Sequence, residues 1–280
     1  MKTLDAKVAA ITGAGSGIGR SLALELAGRG MRLALSDVNV EALDETISLC
    51  GSVARAYPVD VADAGAVQAW ADAVVADFGQ VNLVVNNAGV SLTGDILDIS
   101  LDDIGWVFDI DFWGVVHGTK AFLPHLIASG DGHVVNISSV FGLLAVPSQG
   151  AYNAAKFAVR GFTEALRQEM VISGHPIGVT SVHPGGIRTN VVRNSRVVGF
   201  DHAQLVSQFD ALLAKTTSAR AASVIVRGIE RDRARVLIGT DAYALDAMVR
   251  ILGPRYQKVV TSRVARMART TQLRRAGLSS

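Results

Sequence analysis

One cysteine in 280 residues, Cys50, leaves no partner for an intrachain disulfide. A disulfide-stapled scaffold is excluded, and the count fits a reducing cytoplasm. Cys50 itself reads as small apolar filler at a helix end. Aromatic residues make up only 6% of the chain and charged residues only 19%, against 49% apolar. That balance excludes a disordered chain and a coiled coil. No stretch reaches the ~20 uninterrupted apolar residues of a membrane span. The first apolar run, 7–12, is too short for a signal-peptide core and leads straight into a glycine loop, so a soluble protein is expected. The six histidines form neither an H-E-x-x-H motif nor a Cys/His ligand set, and no metal is expected. Internal repeats, low-complexity tracts and Pro/Ser-rich linkers are also missing, so residues 1–280 read as one domain.

The net charge of +2 hides a split. From Ala247 to the end there are eight Arg or Lys and no Asp or Glu, leaving 19 basic against 25 acidic residues in the body. In that body short apolar runs alternate with helical patterns. Strands are predicted at 8–12, 32–36, 52–58, 83–86, 132–137, 178–183 and 235–239. They are unbroken apolar runs, as parallel strands buried on both faces require. Helices are predicted at 18–29, 40–49, 64–78, 101–128, 151–172 and 219–231. This alternation predicts an α/β fold, a single Rossmann-type doubly wound parallel sheet of about seven strands. Residues 185–218 break the rhythm: they lack a predicted strand and carry Val191, Val192, Val197, Val198, Phe200, Leu205 and Phe209. So long an excursion reads as a helical substrate lid.

The first strand runs into TGAGSGIG, Thr12 to Gly19, and then directly into a helix. Strand, glycine turn and helix start together bind a pyrophosphate, through exposed N–H groups and the positive helix end. Gly13, Ser16, Gly17, Ile18 and Gly19 are the candidates. Asp37 ends the second strand, 18 residues after Gly19. A carboxylate there accepts from both ribose hydroxyls and repels a 2′-phosphate, which argues for NAD over NADP. Arg20, beside the turn, is the counter-indication. Asp60 and Val61 follow the third strand, either as an adenine contact or as a cap for the next helix. Asn86, Asn87, Ala88 and Gly89 end the fourth, either lining the ligand crevice or forming an ordinary turn.

Tyr152 and Lys156 stand at i and i+4, on one helix face, with Ser139 13 residues before the tyrosine. A tyrosine is a base only when its pKa of ~10 is lowered, and a neighbouring ammonium does that. Thr12–Gly19, Asn86–Gly89, Ser139, Tyr152–Lys156 and Pro184-Gly185 together resemble the short-chain dehydrogenase/reductase family, over roughly residues 4–245. The resemblance implies a nicotinamide-dependent oxidoreductase, usually a homodimer or homotetramer. It implies Tyr152 as acid/base, Ser139 as a hydrogen-bond partner of the reacting oxygen, and Lys156 as ribose ligand and depressor of the Tyr152 pKa. Ser138 is the neighbouring alternative to Ser139. Ile187 and Thr189, after Pro184 and Gly185, match positions that contact the nicotinamide amide.

One position departs from that pattern. Where the family usually carries an Asn that holds a relay water, this chain has Asp111. An ionised Asp cannot donate a hydrogen bond, and a buried one must be protonated or paired, with Lys156 the obvious partner. Three readings follow: a relay shifted in pH, an impaired cofactor-binding protein, or a structural role. The first is the expectation.

Between Ser139 and Tyr152 the chain is nearly all apolar, from Val140 and Phe141 through Val146, and Val90, Leu92 and the lid extend the wall. Arg188 and Arg193 near the lid base are the exceptions. A fairly hydrophobic secondary alcohol or ketone is the expected substrate, with Phe141, polar Gln149 and Ser91 beside it. In the tail, Val260, Val264 and Met267 recur at helical spacing among Arg263, Arg266 and Arg269. This basic C-terminal extension, about 241–280, either packs on the enzyme or a sister subunit, or touches an anionic membrane surface. It lacks the interleaved aromatics of a nucleic-acid surface, and no nucleic acid is expected.

Overall fold

The computed structural model describes residues 1, 3–213 and 215–275. Seven parallel strands form the central sheet: β1 (Val8–Thr12), β2 (Arg32–Asp37), β3 (Ala54–Pro58), β4 (Leu83–Asn86), β5 (Gly132–Ile137), β6 (Ile177–Pro184) and β7 (Arg235–Ile238). Their order is β7-β6-β5-β4-β1-β2-β3, so the sheet is doubly wound and its order reverses beside β1. Successive side chains of β1 explain the unbroken apolar runs. Ala9 and Ile11 pack under α1 (Gly17–Ala27) and α8 (Ser218–Glu230) with Leu22, Leu26 and Ile225. Val8 and Ala10 face the other way, towards α3 (Ala64–Phe78) and α6 (Gly150–Ile172), with Val67, Trp70 and Leu166. Each such fully buried Leu or Ile contributes about 1.5–3 kcal/mol.

The strand register aligns the carboxyl ends along one edge: Thr12 lies opposite Ser36, Ile11 opposite Val85, and Asn86 opposite Asn136. Loops after β1 to β6 therefore share that edge, where ligands bind in open α/β sheets. A buried polar chain fixes it: the Asn86 side-chain amide donates to Asn136 and Thr119, and Asn136 donates to Thr163 on α6.

Three expectations change. The helix read as 101–128 is α4 (Leu101–Phe108), a five-residue π-turn (Asp109–Trp113) and α5 (Gly114–Ala128). The π-turn widens the ring by one residue, a device common at functional sites, and points Asp111 inward. The excursion also contains short strands besides α7 (His202–Gln208). Ile187–Arg188 pairs with Thr216–Thr217 at its base, and Arg196–Val197 pairs with Leu92–Thr93 at its far end. It is thus a strap held at both ends.

The third change concerns the apolar loop after β5. Val140, Leu144 and Val146 do not all face a crevice; they pack against α9 (Thr240–Leu252) and α10 (Tyr256–Arg275), meeting Ala242, Tyr256 and Val260. The buried Tyr256 hydroxyl accepts a hydrogen bond from the Ala145 N–H at 3.0 Å. The tail stripe starts on the body at Tyr256 and Val260 and is already 41% exposed at Val264; the Met267 side chain lies outside the described residues. Among the described residues no helix is long and apolar enough to cross a membrane.

Candidate active site

A cavity of about 810 Å³ runs along the carboxyl edge, from the glycine turn to the Ser139–Gln149 loop. At one end Gly13 and Gly17 hold φ of +64° and +54°, which a side chain resists. A side chain at Gly19 would collide with the Gly13 carbonyl and the Asn87 amide, so only glycine lets α1 start this close to β1. Ser16 makes no side-chain cap, leaving the first N–H groups of α1 facing the cavity. Asn87 donates to the Thr12 and Gly13 carbonyls, and the Thr12 hydroxyl accepts from the Asn87 and Ala88 N–H groups, tying β4 to the turn. Thr189 closes on the turn from the strap, with its methyl about where a Gly17 side chain would point.

Asp37 lines the same end and accepts from the Gly15 and Asn39 N–H groups at 2.8 and 2.9 Å. Arg20 is occupied: its guanidinium donates to Thr46, Ala42 O, Gly15 O and Glu45. Arg20, Arg188 and Arg193 line a separate cavity of about 540 Å³. Asp60 forms a local turn with Ala62, and the cap of α3 is Asp63 instead. Asp60 and Val61 both line the main cavity, as do Gly89, Pro184, Gly185 and Ile187. An open helix start and a cradle that side chains would fill fit a dinucleotide.

At the other end Ser139, Tyr152 and Lys156 converge. Ser139 stands at the Tyr152 hydroxyl, where its side chain favours the phenolate. Ser138 is turned away, its hydroxyl donating to the Lys156 carbonyl at 2.8 Å, which leaves Ser139 as the serine at the tyrosine. Buried His183 binds the Ser139 carbonyl through Nδ1 and the Ser181 hydroxyl through Nε2, both at 2.9 Å. Burial pushes its pKa down to about 4, so it is a neutral prop. The Lys156 ammonium lies 5.6 Å from the Tyr152 ring centre, 3.3 Å from the Ile137 carbonyl and 3.2 Å from Asp111 Oδ2. The other Asp111 oxygen accepts from the Val90 N–H at 2.7 Å. Asp111 is fully buried behind Lys156, outside the cavity lining.

Lys156 does pull on the Tyr152 pKa, but the expected net lowering is absent. Burial raises the phenol pKa, Lys156 lowers it, Asp111 raises it, and Ser139 lowers it; the sum is upward. Lys156 loses by burial and gains more from Asp111 and Tyr152, ending above its ordinary value.

Phe141 meets Tyr152 edge to face at 6.2 Å. Gln149 lines the cavity but donates to Thr93 at 2.7 Å. Val90, Val191, Val192, Leu205 and Phe209 supply apolar wall, whereas Leu92 and Val198 pack in a neighbouring core cluster and Phe200 is exposed. Sequence reasoning missed Asp241, whose carboxylate accepts from the Gly186 N–H at 2.7 Å and fixes the strap base.

A sequence model described as short chain dehydrogenase matches residues 7–197. The chain belongs to the short-chain dehydrogenase/reductase family. It is 54% identical over 270 residues to a Mycobacterium tuberculosis protein named, provisionally, oxidoreductase SadH, covering 95% of this chain and 98% of that one. It is 34% identical to dehydrogenase/reductase SDR family member 7B of Bos taurus, over 88% of this chain and 78% of the relative. Among solved structures it is similar to a short-chain dehydrogenase/reductase from Burkholderia phymatum in complex with NAD, with a TM-score of 0.84, 33% identity, and 90% and 95% of the two chains covered. The chain is an oxidoreductase of this family.

Proposed function

We propose that this oxidoreductase uses NAD to interconvert a fairly hydrophobic secondary alcohol and its ketone. The observation that carries this reading is one continuous cavity joining an uncapped helix start and Asp37 to Tyr152, with apolar walls beside the tyrosine. Bound there, the dinucleotide supplies or accepts the hydride. Its pyrophosphate would rest on Gly13 to Gly19, its adenosine ribose on Asp37, its adenine by Asp60 and Val61, and its nicotinamide half by Asn87, Gly89, Ile187 and Thr189. Asp37, with Arg20 already engaged, disfavours a 2′-phosphate and supports NAD over NADP.

In the reductive direction the Tyr152 hydroxyl gives its proton to the carbonyl oxygen, and in oxidation the phenolate takes it back. Ser139 holds the same oxygen, and Lys156 holds the nicotinamide ribose. The protein orients these groups and steadies charge on the oxygen. Titration with NADH and NADPH by fluorescence, followed by a panel of secondary alcohols and ketones, tests the proposal. Tighter NADH binding and turnover of apolar members are expected. Turnover of small charged hydroxy acids alone, or NADH binding without any turnover, would reject it.

A further inference from the structure

Among the described residues Asp111 is the acidic side chain buried against the Tyr152–Lys156 pair. The contact is a 3.2 Å approach of two fully or almost fully buried groups, and burial pushes the Asp111 pKa up against the pull of Lys156. A carboxylate in such a place costs several kcal/mol unless it is paired. Its position is fixed twice, by the inward-facing π-turn and by the Val90 N–H on Oδ1. Oδ2 has the Lys156 ammonium as its charge partner. A side chain on Gly89 would press on both groups, at 3.1 Å from Asp111 and 3.3 Å from Lys156. The backbone therefore leaves room for this pair and little else.

We propose that Asp111 is a positioning residue that acts as the charge counterweight of Lys156, so that Tyr152 faces a net-neutral pair and serves at neutral pH as a proton donor for ketone reduction. The inference rests on the proposed function. With one proton shared between the two groups the pair is neutral either way: carboxylate with ammonium and carboxylic acid with amine both sum to zero. An Asn at 111 would leave Lys156 uncompensated whenever it is charged. In the reductive step the hydride from NADH forms the new C–H bond. The carbonyl π pair moves to oxygen and takes the Tyr152 proton, leaving NAD, the alcohol and a phenolate that solvent reprotonates.

The groups facing Tyr152 from each neighbouring element agree with this account. Lys156 shares α6, and Asp111 comes from the π-turn. The β5 loop brings Ser139, and β6 brings neutral His183 behind it. The end of β4, Asn86 to Gly89, has no ionisable side chain. The strap residues on the cavity, among them Ile187, Thr189, Asn190, Asn194, Gln208 and Phe209, are also without charge. Asp37 at the end of β2, Asp60 after β3 and Asp241 in the first turn of α9 also border the cavity.

The test is a pH titration of phenolate absorbance in the cofactor-free protein, corrected with Tyr152→Phe, for the parent and Asp111→Asn. The near-isosteric Asn keeps an acceptor for Val90. In the parent, Tyr152 should not ionise below its ordinary ~10. In Asp111→Asn the midpoint should fall by roughly one pH unit or more. The alkaline limb of alcohol oxidation should move the same way, with KM little changed. Superimposable titrations, or a parent midpoint near neutrality, would overturn the proposal. The parent measurement stands alone if the variant fails to fold. The absorbance readout needs no turnover, so its failure is distinct from failure of the proposed reaction.

Discussion

Tyr256 lies far beyond the residues that carry the reaction, yet its removal should loosen the site. Its buried ring packs on Val140 and Leu144, and its hydroxyl accepts the Ala145 N–H. Tyr256→Phe deletes one hydrogen bond. Ala145 is exposed, so water can take over its N–H, and the cost should be near the usual ~1 kcal/mol. Tyr256→Ala also removes the ring, at about 3–5 kcal/mol. A domain with stability in the ordinary range of about 5–15 kcal/mol survives that loss, which should fall mainly on the docking of α10 and the loop. Each 1.4 kcal/mol is tenfold in an equilibrium, so about 3 kcal/mol corresponds to roughly hundredfold faster hydrogen exchange at the Leu143, Leu144 and Ala145 amides. The assay is native-state exchange with kcat/KM measured in parallel. Tyr256→Phe should show a small effect of the same sign, and Tyr256→Ala should lower kcat/KM as the loop opens. Faster exchange confined to α10, with the three loop amides and kcat/KM unchanged, would refute the reasoning.

Two further outcomes are expected. Asp37→Ala removes the ribose acceptor and the repulsion of a 2′-phosphate; fluorescence titration should show weaker NADH and stronger NADPH binding, a combined change of tenfold or more at about 1–3 kcal/mol per charge-assisted bond. Burial holds His133 down at a pKa of about 3 and His183 at about 4, so both fold as neutral rings. The unfolded chain binds those protons near pH ~6.5, so stability is full above that pH and is lost as pH falls towards the folded values. At pH 5 the loss is about 2 kcal/mol for each histidine, seen as a falling Tm that flattens in His133→Gln.

The sheet was legible because both faces of its strands are buried, which leaves unbroken runs such as Val8–Thr12 that no amphipathic helix shares. The glycine turn and the Tyr152/Lys156 spacing were legible because local geometry demands those residue types. The rest depended on distant partners. The π-turn keeps a helical hydrophobic pattern, so nothing in residues 101–128 marks where the ring widens. The two-residue strands of the strap exist only because Leu92–Thr93 and Thr216–Thr217 stand beside them. An apolar loop does not announce which side it buries, and Val140, Leu144 and Val146 turned to α9 and α10. Gln149 lines the cavity, but that its amide is held by Thr93 depended on a strand distant in sequence. Asp111 could be placed beside Lys156 from sequence; its effect on Tyr152 needed the buried distance.

The central claim is that Tyr152 moves the proton in an NAD-dependent exchange between an apolar secondary alcohol and its ketone. Its most direct test is single-turnover oxidation of such an alcohol by the NAD-loaded parent and by Tyr152→Phe, with NADH binding measured for both. The account predicts a loss of the order of 100- to 10,000-fold in the hydride-transfer rate with NADH affinity retained. A Tyr152→Phe protein that transfers hydride as fast as the parent would contradict it.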